Sequence, residues 1–124
     1  MICPRCKKPI ADHDAGRETD ACVAEVVMGM EQVAYGMWSD ESGLMMELAD
    51  YSTSWAEIES VSEAMILNGD WLSLTYRTGD LKPHETWGWF ARFRNSNQCS
   101  AAITAPLAVC RAALSAMAGG GGRD

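Results

Sequence analysis

The chain has 124 residues, 48% of them hydrophobic, and a net charge of −7. This suits one globular domain and excludes general disorder, and no apolar run approaches the roughly 20 residues of a membrane span. The charge is ordered: no Lys or Arg separates Arg17 from Arg77, where twelve acidic residues fall, and six of the ten basic residues lie from Arg77 onward. The first reading is two helices with solvated acidic faces; the alternative is an acidic surface that attracts a basic protein partner. Nucleic acid is not expected as a partner, because neutralising phosphates needs clustered Lys and Arg.

The chain opens on Met1-Ile-Cys-Pro-Arg-Cys6, which has neither the apolar core nor the small-residue cleavage site of a secretory leader. The five cysteines are therefore expected as reduced thiols or metal ligands in a cytoplasm, and their odd number already leaves one unpaired in any monomeric disulfide scheme. Cys3 and Cys6 are two residues apart, so their thiolates can share one tetrahedral ion, zinc above all. Residues to complete the site are His13, Asp12 or Asp14, and Cys22, with His13 or Cys22 expected as the third ligand. Alternatively, two chains of a homodimer pool Cys3 and Cys6. Lys7 and Lys8 would offset the thiolate charge. The competing reading is a disordered leader that binds nothing; in either case the core is not expected to depend on it. A redox role fits less well, because a thioredoxin-type pair belongs at a helix start after a strand.

A first helix is expected over Thr19 to Met28, with Thr19 as cap, Asp20 at the positive end of the dipole, and Val23, Val26, Val27 and Met30 as its buried stripe. Gly29 stops it. Gln32 to Trp38 reads as a strand, and Leu44 to Glu47 as a short edge strand. A second helix, Ser54 to Asn68, opens with the capping box Ser54-x-x-Glu57 and buries Trp55, Ile58, Val61 and Met65. Its Glu57, Glu59 and Glu63 lack a neighbouring base and form a candidate partner-binding face, with Glu59 and Glu63 as an i, i+4 like-charge pair.

Residues 71–76 and 87–94 are rich in aromatic and β-forming residues and should pair as a long-looped antiparallel hairpin, with His84 in the loop. Along the second of these strands Trp87, Trp89, Ala91 and Phe93 share the core face, and Gly88, Phe90, Arg92 and Arg94 the other. Arg92 and Arg94 are expected to pair with the acidic helices. Alternatively, with Phe90 they hold a phosphate and stack a base, as in a small nucleotide-like ligand site. Cys99 to Ile103 is a weaker strand. The last helix, Ala105 to Ala116, is capped by Thr104, accepts Pro106 in its first turn, and buries Leu107, Cys110, Leu114 and Met117. Gly119 to Gly122 begin a flexible tail.

Three segments carry a resemblance: Glu18-Thr-Asp with Val23-Ala-Glu-x-Val-Met-Gly29, then Tyr51-Ser-Thr53 before a Trp-bearing helix, and Thr104 to Leu114. In this order they resemble the phage and prophage "ABA sandwich" domain family, over about residues 18 to 117. The resemblance implies helices on both faces of a sheet, a phage or prophage origin and hence a bacterial host cell, and supplies no catalytic residues. The expected fold is α+β, a small mixed or antiparallel sheet of three to four strands with about three helices packed on it, α/β/α sandwich-like. Its divisions are a Cys-x-x-Cys extension (1–17), the domain (18–118) and the Gly-rich tail (119–124). No Ser-His-Asp, Cys-His, Gly-rich phosphate loop or His-x-x-x-His pattern is present, so a non-enzymatic module acting on a host or phage protein is expected.

Overall fold

The computed structural model describes residues 1–77, 88–96 and 99–119. Three helices form, α1 (Arg17–Val26), α2 (Ala56–Leu67) and α3 (Ala105–Ala118), with six strands among the described residues: β1 (Glu31–Ala34), β2 (Met37–Ser39), β3 (Met45–Glu47), β4 (Leu72–Arg77), β5 (Gly88–Phe93) and β6 (Ser100–Ala102). The class is α+β as expected. The strands divide into two antiparallel sheets, β1-β2-β3 and β4-β5-β6. Gln32 to Trp38 is not one strand: Gly36, at φ +76°, turns the chain so that Ala34 pairs with Met37. His84, Trp87 and most of the Gly-rich tail lie outside the described residues.

The aromatic hairpin forms in the expected register, Leu72 opposite Phe93 through Arg77 opposite Gly88. Ala91 and Phe93 are fully buried, because α3 lies on that face of β5 and β6. The opposite face carries Ser73, Thr75 and Arg92 exposed, so α3 covers one side only. α1 and α2 pack onto α3, which is buried around most of its circumference. The small side chains of α3 permit this: Ala105, Ala108, Ala112, Ala113 and Ala116 let neighbouring elements approach on several sides.

Gly88 is a strand glycine for a steric reason. It holds φ +138°, and a Cβ there would lie 2.8 Å from the Ala102 carbonyl oxygen of the adjacent strand. Gly88→Ala is expected to lower stability by about 1–3 kcal/mol, read as a lower urea midpoint. An unchanged midpoint would contradict this account of the β5–β6 contact.

Three local expectations are corrected. Thr19 is not the cap: α1 starts two residues earlier, Gly16 stands at its N-cap, and the buried Thr19 hydroxyl donates to the Asp14 carbonyl at 2.5 Å. Ser54 and Thr104 make no side-chain capping bond. Trp55 is 58% exposed rather than buried, its ring set edge-on to that of Trp89 with centroids 5.1 Å apart. Val61 and Met65 do fill the α2 core positions.

Candidate metal centre

The first ten residues fold back on themselves. Ile2 bridges Pro9, the Cys3 N–H donates to the Lys8 carbonyl at 2.9 Å, and the Ile10 N–H to the Met1 carbonyl at 2.9 Å. At the tip, the Lys7 N–H donates to the Cys3 carbonyl at 3.0 Å, and Lys7 takes the left-handed φ of +67°. This turn brings the Lys8 backbone N–H near enough to Cys6 to favour its thiolate. Burial raises the Cys6 thiol pKa, but that N–H, with the side chains of Cys22 and Cys3, outweighs it, and the net shift is downward. Both thiols of Cys3-x-x-Cys6 thus point to the same place.

A single 3-10 turn, Ile10–Asp12, then delivers His13. Ile10 is buried and anchors the turn, and His13 itself is 4% exposed. The His13 Nδ1 lies 3.2 Å from the Pro9 carbonyl. A carbonyl only accepts, so in the neutral ring Nδ1 carries the proton and Nε2 has the lone pair that a metal ion needs. Nε2 lies 3.3 Å from Cys6 Sγ. Arg111 of α3 holds the His13 backbone, its Nε donating to the carbonyl at 2.8 Å and its Nη1 to the Ala101 carbonyl at 2.7 Å.

Cys22 supplies the fourth donor from the second turn of α1 and is fully buried. Burial foremost pushes its thiol pKa up to about 12, against the lowering effect of the Arg5 guanidinium. Arg5 Nη1 lies 3.7 Å from Cys22 Sγ and its Nε 3.5 Å from Glu25. Lys8 extends outward to Glu18 at 2.6 Å.

The donor atoms of Cys3, Cys6, His13 and Cys22 all lie within 4.8 Å of one another. A tetrahedron with metal–sulfur bonds of about 2.3 Å and metal–nitrogen bonds of about 2.0–2.1 Å has donor–donor edges of about 3.5–3.8 Å, so the four fit around one ion after small side-chain movements. They can therefore hold a metal ion. The His13–Pro9 bond is the outer hydrogen bond that orients a ligating imidazole. Arg5 stands where it would offset the excess negative charge of three thiolates.

Sequence reasoning named these four residues but left Asp12, Asp14 and a second chain as alternatives. Asp12 and Asp14 are exposed and lie outside the group, and Asp14 instead reaches Arg111 at 3.8 Å. One chain supplies all four donors, so no second chain is needed to complete the set. Nor is the leader detached, since Cys3, Ile10 and His13 are core residues. The roles of Arg111 and Arg5 were missed. Arg111 sits 98 positions from His13, and no local pattern links them.

The other candidate residues lie elsewhere. Glu59 and Glu63 are exposed on α2, and Glu57 is half-buried. Phe90 and Arg92 stand on the open face of the β4-β5-β6 sheet. Among the described residues Arg92 and Arg94 reach no carboxylate, so the expected pairing with the acidic helices does not form; Arg94 lies over the Trp71 ring instead, 5.3 Å from its centroid.

Comparison with known families matches residues 21–114 to the phage ABA sandwich domain, more than half of the chain. The chain belongs to the phage ABA sandwich domain family. A crystal structure of a phage protein from Bacillus cereus ATCC 14579 shares the fold, with TM-score 0.63 and 20% identity over 84% of this chain and 93% of that one. No curated protein matches. In this phage ABA sandwich domain, Cys3, Cys6 and His13 precede the matched region and Cys22 falls just inside it. Among the described residues, no helix is long and apolar enough to cross a membrane.

Proposed function

We propose that this phage ABA sandwich domain is a non-enzymatic protein-interaction module of the bacterial host cytoplasm, in which one structural zinc ion clips the N-terminal segment onto α1. The convergence of Cys3, Cys6, His13 and Cys22 within 4.8 Å carries the zinc half of this reading. Three sulfurs and one imidazole suit zinc better than a harder, oxygen-seeking cation. Four protein ligands fill a tetrahedron and leave no position for substrate, which favours a structural ion over a catalytic one.

The partner half rests on the acidic side. Glu63 of α2 shares a surface depression with Asp40 and Glu41 of the β2–β3 turn, and Leu67, 89% exposed, lies in the same depression. A depression lined by three carboxylates and an exposed leucine suits a basic protein with an apolar contact residue. The expected result is a host or phage partner captured at low salt and released at high salt. Its retention should fall for a Glu57→Gln, Glu59→Gln, Glu63→Gln variant. A partner held equally by both proteins at both salt concentrations would rule this face out. A second reading, a nucleotide-like ligand on Phe90, Arg92 and Arg94, is favoured by the Arg77 guanidinium, which lies 4.8 Å from the Phe90 ring centroid and adds a third arginine to that face.

A further inference from the structure

The sheet β4-β5-β6 concentrates positive charge that the sequence disperses. Partners in an antiparallel ladder point to the same side, so Thr75 stands beside Phe90, and Arg77 and Arg92 lie on the same face. Trp71 continues this alternation and is 48% exposed, with Arg94 over its ring. Among the described residues, Arg5, Lys8, Arg17 and Arg111 each meet a carboxylate, whereas Arg77, Arg92 and Arg94 meet none. In a chain of net charge −7, three arginines that meet no carboxylate among the described residues, interleaved with two aromatic rings on one face, suit a partner of opposite charge.

We propose that this open face binds single-stranded nucleic acid. The proposal rests on the residues of the second reading above and replaces a small ligand by a polymer. From Trp71 to Arg77 the strand spans six steps of about 3.4 Å, roughly 20 Å, too long for one nucleotide to bridge. Guanidinium groups suit phosphate oxygens, and Trp71 and Phe90 offer surfaces on which bases stack. A duplex hides its bases and would bring more phosphate against the acidic remainder of the molecule. An acidic peptide would use the arginines but leave the rings idle. The expectation from sequence that nucleic acid is not a partner presumed scattered basic residues; strand pairing gathers three of them.

The test is fluorescence anisotropy of a short fluorescein-labelled oligothymidylate with the full chain. Three phosphate contacts predict a log–log salt slope of about −2, so affinity should fall about 100-fold between about 50 and about 500 mM salt. An Arg92→Glu, Arg94→Glu variant with unchanged circular dichroism should bind at least about tenfold more weakly. Trp71→Ala should weaken binding while keeping the salt slope, because it removes stacking and no charge. No binding at low salt, or equal binding by the arginine variant, would overturn the proposal. Competition by polyglutamate as effective as by unlabelled oligothymidylate would assign the face to an acidic protein and also overturn it, as would equal competition by the duplex. None of these outcomes depends on whether the cysteine cluster holds zinc.

Discussion

Stripped of metal by a strong chelator, the protein is expected to melt more than about 10 °C lower, and Cys22→Ser to behave the same way without chelator. Cys3 and Cys22 are fully buried, and the segment they tether contributes Ile10 and His13 to the same core. A ligand that binds only the folded state at about a thousandfold over its Kd adds about 4 kcal/mol of stability. In a domain of this size each kcal/mol moves Tm by roughly 3–6 °C. Cys99→Ser is the control, because Cys99 is exposed and outside the cluster, and it should retain both metal and Tm. If metal-loaded and metal-free protein melt together, the ion holds only a dispensable leader and the clip is refuted.

Asp20→Ala is expected to cost about 3–5 kcal/mol. Asp20 is 1% exposed, and its Oδ1 accepts from the Ser52 N–H at 2.7 Å and the Ser52 hydroxyl at 2.7 Å. Its Oδ2 accepts from Arg17 Nη1 at 3.1 Å. Ser52, fully buried, also accepts from the Gly16 N–H at 2.9 Å and so ties the start of α1 to the loop before α2. Removing the carboxylate strands the buried Ser52 N–H and leaves the Ser52 hydroxyl only the longer bond to the Gly16 carbonyl at 3.3 Å, which is more costly than losing a pair together. Asp20→Asn keeps an acceptor oxygen and should cost about half as much. Urea unfolding measures both, and a loss below about 1 kcal/mol for Asp20→Ala would show that water or a rearranged Arg17 replaces the carboxylate.

That network explains two of the three family-like segments better than helix capping does. Asp20 comes from the first and Ser52 from the second, and they meet only in the folded chain. Their helical context was legible from the i, i+3, i+4 spacing of Val23, Val26 and Val27, but their tertiary bonds were not. Likewise the aromatic alternation of residues 87–94 correctly placed Ala91 and Phe93 in the core and Phe90 and Arg92 outside. The turn at Tyr35-Gly36 was hidden inside a run of strand-forming residues, where only the backbone freedom of Gly36 marks it. Trp55 misled because large aromatic surface at a helix start implies burial, whereas this ring packs edge-on to Trp89 and stays half open. For the cluster, the Cys3-x-x-Cys6 spacing was readable because two donors share one turn. That His13 and Cys22 both complete the group, with no second chain, rests on the buried Ile10 turn, the Pro9 carbonyl and the Arg111 anchor, which link residues distant in sequence.

X-ray absorption at the zinc edge of protein purified without chelator tests the central claim most directly. The predicted first shell is three sulfurs at about 2.3 Å and one nitrogen at about 2.0–2.1 Å, one ion per chain, and any zinc still taken up by Cys22→Ser should show one sulfur fewer. Absence of zinc even after titration with the ion, or a shell of two sulfurs completed by oxygen that is unchanged in Cys22→Ser, would contradict the four-residue site.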